Sequence, residues 1–241
     1  MDMAKRILSL VLCGVIALGM TACAGGNSSS QQNKQSGTSA QKETDTKSEG
    51  QEQQKPAGDG KNLVVYFSVP ETTKADNMNS EEENSTVVVD GEVLGNTQYV
   101  AQVIQKNTGA DIFRIEPETP YPMDHAKLEE VATKEAEDES FPAIKEKVEN
   151  IEQYDTIFVG YPNWYADMPR ILYSFFKEYD FKGKTIIPFV TSGGSGFSDT
   201  ISTIAELEPD ATVVEDGYSV TRDVVQDAEN EIVSWLKEQG Y

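Results

Sequence analysis

Cysteine is nearly absent from this chain. Among 241 residues only Cys13 and Cys23 carry a thiol. Residues 61–241 hold none, which excludes a disulfide framework, a catalytic thiol and a cysteine-ligated cluster there. Histidine is scarcer still. His125 is the single one, so a multi-histidine metal site is excluded and no triad is in view; a lone histidine in a loop reads as a surface residue. Positive charge is also in deficit, with a formal net charge of −21. Through residue 60 six basic and six acidic side chains cancel, so the whole excess falls on residues 61–241. Such a surface excludes nucleic acid as a partner and is repelled by anionic lipid. Solubility is the plain use of the charge; steering of a basic partner or cationic substrate is the other.

Long hydrophobic runs are missing too. Residues 7–18 are apolar and follow Lys5 and Arg6, but they are too few to span a bilayer comfortably. They lead into Leu18-Gly19-Met20-Thr21-Ala22-Cys23 and read as a secretory signal. The small residues before the cysteine resemble the lipobox of bacterial lipoproteins. That resemblance implies cleavage before Cys23 and lipidation of its sulfur. Residues 24–60 are mostly Gly, Ser, Gln, Lys, Thr and Glu, without a large apolar residue. They cannot bury enough surface to offset ordering entropy, so a disordered spacer is expected. The expected division is a signal peptide over 1–22, a lipidated cysteine and linker over 23–60, and one folded domain over 61–241. The lipid alone would hold that domain at the membrane, outside the cytoplasm.

Within the domain, strand and helix patterns alternate. Leu63 to Phe67 is a continuous apolar run, as in a strand buried on both faces. A long polar stretch follows to Leu94, and Asp90-Gly91 between β-branched residues signals a hairpin. A helix is expected over 96–106, a strand over 112–115 and a charged helix over 125–139. A shorter helix is expected over 143–150 and a strand over 155–161. Pro169 opens the next helix, and a strand over 185–190 contains Pro188, a local conflict because proline cannot donate to the ladder. A helix over 198–207, a strand over 211–214 with a short extension at 218–220, and a final helix capped by Asp223 with Gln226 complete the pattern. Five strands alternating with helices predict a parallel sheet covered on both faces.

Two loops stand out at strand ends. Gly160-Tyr161-Pro162-Asn163-Trp164-Tyr165 offers aromatic faces. Thr191-Ser192-Gly193-Gly194-Ser195-Gly196 offers backbone N–H groups, and glycine lets the backbone approach a ligand closely. The pair suits a flat ring with polar edges better than a metal or a nucleophile, which points to a flavin and to redox chemistry.

These two loops, with Leu63-Val64-Val65-Tyr66-Phe67-Ser68, resemble the flavodoxin-like family, in particular its exported bacterial lipoproteins. The resemblance covers essentially all of residues 61–241. It implies a three-layer α/β sandwich around a five-stranded parallel sheet of order 2-1-3-4-5, with FMN at the switch point between the first and third strands. By that resemblance Ser68, Asn96 and Thr97 hold the phosphate at a helix N-terminus. Trp164 or Tyr165 stacks on the ring, Pro162 stiffens the loop and Asn163 bonds the ring edge. Thr191, Gly193, Gly194, Ser195 and Gly196 approach the pyrimidine. The chain departs from the family in one respect: residues 69–94 split the usual compact phosphate loop. An acidic domain also disfavours a reduced flavin anion, so a low potential for the second electron is expected. The implied role is an electron carrier working with a redox partner protein or a small-molecule donor or acceptor. A quinone or nitro-compound reductase using NAD(P)H is the alternative, although no dinucleotide-binding glycine fingerprint is visible. A flavin-free binding module on the same fold is the third reading.

Overall fold

The first strand, β1 (Asn62–Tyr66), shows how the domain is layered. Leu63, Val65 and Phe67 belong to one buried cluster, and Val64 and Tyr66 to the other. The two-residue period of a strand sends alternate side chains to opposite faces, so an unbroken apolar run fills two cores at once. A computed structural model of the chain describes residues 61–241. The signal peptide, Cys23 and linker expected upstream lie outside the described residues.

After β1 the chain forms a short helix α1 (Ser80–Ser85) and a hairpin of β2 (Thr86–Val89) and β3 (Glu92–Gly95). Helix α2 (Asn96–Thr108) and strand β4 (Asp111–Arg114) follow, then α3 (His125–Glu137), β5 (Thr156–Pro162) and α4 (Arg170–Glu178). The rest comprises β6 (Thr185–Ser192), α5 (Thr200–Leu207), β7 (Thr212–Val213), β8 (Tyr218–Thr221) and α6 (Glu229–Gln239). All main-sheet pairings are parallel, in the order β4-β1-β5-β6-β7, with β8 also on β6. In chain order of the sheet strands this is 2-1-3-4-5, the expected topology. Helices α2 and α6 cover one face through Val100, Ile104, Ile232 and Trp235. Helices α4 and α5 cover the other through Ile171, Phe175 and Ile204.

The fifth strand is split, and the split explains Pro188. The Ile186 carbonyl accepts from the Val214 N–H at 2.9 Å, so Ile186 faces the fifth strand, and by alternation so does Pro188. Between the pairs Ile186–Val213 and Phe189–Tyr218 the fifth strand bulges out of register. Proline therefore sits where the ladder asks for no donor.

Two local expectations are corrected. No helix forms over 143–150. The Ala143 carbonyl accepts from Glu118 N–H and the Lys145 N–H donates to the Glu116 carbonyl, both at 2.8 Å. Those groups are spent on a bridge between Ile144 and Pro117, with a Lys145–Glu116 ion pair beside it. The last helix starts later than expected. Residues Val225–Asp227 form a 3-10 turn, and Gln226 bonds the Asp223 carbonyl instead of closing a capping box.

Candidate functional site

The carboxyl ends of β1, β5 and β6 open into one cavity of about 370 Å³, within the usual range for small-molecule sites. Its floor is built by the split loop. Ser68 follows β1 directly, and Gly95 ends β3 as the residue before α2. A Cβ placed on Gly95 would lie 2.1 Å from the Ser68 hydroxyl oxygen. The two halves of the loop therefore meet, and only glycine permits the contact. The β2–β3 hairpin between them stands aside as its own two-stranded sheet. Asp90 and Gly91 at its tip both have positive φ, as a two-residue hairpin turn of this twist requires.

Helix α2 points its N-terminus at this floor; Gln98 Oε1 accepts from the Gly95 N–H at 3.3 Å, but Gly95 has no side chain to cap the first-turn N–H groups. Its first-turn N–H groups are the orphan donors of any helix start. Thr97 is buried, and its hydroxyl lies 2.8 Å from that of Thr191. Asn96 is 6% exposed; its Nδ2 donates to the Asn84 carbonyl at 2.8 Å, and its Oδ1 is buried without a partner. A buried acceptor left unpaired is costly unless a ligand donor satisfies it.

Opposite stand Pro162, Asn163 and Trp164. Asn163, expected at a ring edge, lines the cavity. Its Nδ2 donates to the Gly196 carbonyl at 2.8 Å and to the Ser198 hydroxyl at 3.0 Å, tying the two loops together. Trp164 lines the cavity but also meets Phe67 and Tyr121 edge to face, with centroids 5.5 and 5.6 Å away. It is a wall and a piece of core together. Trp164 and Asp167 close a tight turn through reciprocal backbone bonds of 2.9 and 3.0 Å, with φ of 55° at Tyr165 and 66° at Ala166. Two successive non-glycine residues in the left-handed region are strained. The turn displays Tyr165, which is 63% exposed and lies outside the cavity lining.

The glycine loop reaches the cavity only through its first half. Thr191, Ser192 and Gly193 line the cavity, whereas Gly194, Ser195 and Gly196 do not. The N–H groups of Gly194 and Gly196 both donate to the Ser192 hydroxyl, at 3.1 and 3.0 Å. Ser192 thus folds the loop back on itself, and those two donors are spent.

Sequence reasoning missed four contributors of charge. Glu71 and Glu81 come from the insertion, His125 from the start of α3, and Arg222 from just after β8. The His125 ring lies 3.0 Å from a Glu71 oxygen through Nδ1 and 3.6 Å from Glu129 through Nε2. That hydrogen bond to Glu71 raises the His125 pKa above the ordinary imidazole value. Burial raises the Glu71 carboxyl in turn. Only the scarcity of histidine could have drawn attention to His125.

The sequence profile of the flavodoxin family matches residues 85–239. The chain belongs to the flavodoxin family. Similar solved structures include a candidate flavoprotein from Bacteroides eggerthii, 29% identical, with a TM-score of 0.56 and coverage of 75% of this chain and 98% of that one. A second, from Bacteroides uniformis, is 27% identical with a TM-score of 0.53, covering 74% and 98%. A flavoprotein from Lactobacillus acidophilus, crystallised in complex with FMN, is 18% identical with a TM-score of 0.49, covering 71% and 99%. No curated protein matches this chain. The match begins at residue 85, inside the inserted segment and after β1 and Ser68.

Proposed function

We propose that this flavodoxin-family protein binds FMN and carries electrons, tethered outside the cytoplasm by a lipid on Cys23. One observation carries the reading: a helix N-terminus whose first-turn N–H groups have no N-cap side chain, an unpaired buried Asn96 oxygen and the indole of Trp164 converge on one cavity. FMN has the groups such a cavity asks for, namely a phosphate for the helix start, hydroxyls on its ribityl chain and a flat ring for the aromatic wall. The flavin would supply the electron chemistry. The protein's part is to bind and shield. Ser68, Thr97 and the first N–H groups of α2 would hold the phosphate. Hydroxyl donors of the ribityl chain would satisfy Asn96 Oδ1. Trp164 and Pro162 would cover the ring, and the Asn163 bridge to Gly196 would keep the two covering loops at a set distance. The contact between Gly95 and Ser68 removes the main argument for a flavin-free module, since the split loop closes.

No helix among the described residues is long and apolar enough to cross a membrane. The tether therefore rests on the lipobox resemblance, and the acidic domain would meet a redox partner bearing basic groups. The test is the visible absorption spectrum of the purified chain before and after addition of FMN. Flavin bands that stay with the protein through gel filtration are expected. A colourless protein that releases all added FMN would sink the reading.

A further inference from the structure

Two carboxylates, Glu71 and Glu81, line the cavity with two cationic side chains, His125 and Arg222. Arg222 stands beside the glycine loop, its guanidinium carbon 3.3 Å from the place of a Cβ on Gly193. His125 stands beside Glu71. A continuous set of bonds links it to the α2 N-terminus: Asn96 to the Asn84 carbonyl, neighbouring Ser85 to the Glu71 N–H, and Glu71 to the imidazole. The helix start invites an anion, yet the insertion brings acid beside it. Glu129, on α3, also lies 3.6 Å from the imidazole. Carboxylates therefore outnumber cations around this group, and protonation of His125 lowers that negative excess by one charge.

We propose that protonated His125, held by Glu71, is the group that admits a phosphate ester to this cavity, so that the site prefers FMN to riboflavin and does so more strongly as the pH falls. This rests on the flavin reading above. The charged groups around the imidazole are Glu71 from the segment after β1, Glu81 from α1 and Glu129 from α3 itself. Arg222 lines the same cavity, and the Tyr165 hydroxyl lies 3.4 Å from Glu129. The Glu71 side chain is 8% exposed and that of His125 45%. The carboxylate is therefore the poorly solvated member and holds the imidazole in place, so the imidazole acts on a ligand in the cavity through its charge. The hydrogen bond to Glu71 favours the charged imidazole. Deprotonation restores the full negative excess and opposes a dianion. Riboflavin has no phosphate and escapes this penalty.

The experiment titrates FMN and riboflavin separately into the full chain, by quenching of flavin fluorescence, from about pH 6 to about pH 8.5. It uses the native chain, His125→Gln and His125→Lys. In the native chain the FMN-to-riboflavin affinity ratio should fall about tenfold or more over that range, the equivalent of one pKa unit of coupling. In His125→Gln the ratio should be low throughout, changing only with the second ionisation of the phosphate itself near about 6. In His125→Lys the preference for FMN should persist to the alkaline end. A native ratio that does not change, or a change that survives intact in His125→Gln, overturns the proposal and leaves flavin binding standing. Failure to bind either flavin at any pH overturns the flavin reading, and this proposal with it.

Discussion

Adding one methyl group at Gly95 tests the closure of the split loop. Its backbone, at φ −71° and ψ 149°, is open to any L-residue, so Gly95→Ala introduces no conformational strain. The clash is purely local. The new carbon would sit 2.1 Å from Ser68 Oγ, 3.2 Å from Ser68 Cβ and 3.4 Å from Pro70 Cδ. Contact distance is about 3.5 Å, so the hydroxyl must move by roughly 1 Å or more. Overpacking of this kind costs about 1–3 kcal/mol, offset by about 0.4–1 kcal/mol from the stiffer unfolded chain. A net loss of about 1 kcal/mol is expected in urea unfolding followed by tryptophan fluorescence. Ligand binding should suffer more. A hydrogen bond to a charged phosphate contributes about 1.5–3 kcal/mol, so FMN affinity should drop about 10- to 100-fold. Ser68→Ala should lose a similar amount of affinity without the stability loss. The double variant regains room, so its stability should recover and its affinity should match Ser68→Ala alone. Unchanged FMN affinity in Gly95→Ala would refute the reasoning, as would strictly additive effects in the double variant.

Four further outcomes follow. Ala166→Gly relieves a left-handed non-glycine residue and should raise stability by about 0.5–1 kcal/mol in the same urea assay; a loss would show that the turn is unstrained. Trp164→Ala removes two edge-to-face contacts and should cost about 3 kcal/mol even without ligand, which confounds it as a binding test. Tyr165→Ala, at an exposed position, should leave stability within about 0.5 kcal/mol, so a fall in FMN affinity there reports stacking alone. Burial and then the Asp180 carboxylate push the Glu208 carboxyl up to about 7. A raised acid binds more protons folded than unfolded, so it lowers stability progressively as pH rises from about 4.5 to about 7. Glu208→Gln should abolish that slope and stabilise the protein at about pH 8 by no more than about 1 kcal/mol after solvent screening. Parallel pH–stability curves for the two proteins would contradict this.

The parts of the fold legible in the sequence were those set by buried periodicity. Leu63–Phe67, Phe158 with its neighbours, and the α4 stripe of Ile171, Leu172, Phe175 and Phe176 all lie where their patterns place them. The misread segments are those whose backbone partners come from afar. Residues 143–150 lose their helix to the Glu116–Glu118 segment, a competitor some 30 positions away that no local propensity reveals. The short helix α1 escaped because a polar run hides its Asn79–Glu82 capping box. The same logic governs the cavity. The residues it gathers from the strand-end loops, such as Ser68, Trp164 and Gly193, were visible as motifs. Ser192 was visible too, but its capture of two glycine N–H groups was not, because a hydroxyl's choice of partner is settled only by the folded loop. Arg222, Glu71 and His125 carry no motif, and only the topology brings them together.

The insertion explains why this cavity departs from a bare phosphate loop. Its ends, Ser68 and Gly95, are already in contact, and lengthening a closed loop adds only slowly to its entropic cost. The inserted chain offsets that cost with structure of its own: α1 is capped by Asn79, the hairpin pairs four residues with four, and Val87 and Leu94 are buried in the α2–α6 core. It is therefore a built element that cannot be removed without exposing apolar surface. It also delivers Glu71, Glu81, Asn84 and Ser85 to the cavity wall. Two of these are acids placed beside a helix start that would otherwise need no cation to hold an anion. The single histidine of the chain stands against one of them, at 3.0 Å. On this reasoning His125 compensates for the insertion, and the two form one device: the added acid makes the site inhospitable to phosphate at high pH, and the imidazole restores it when protonated.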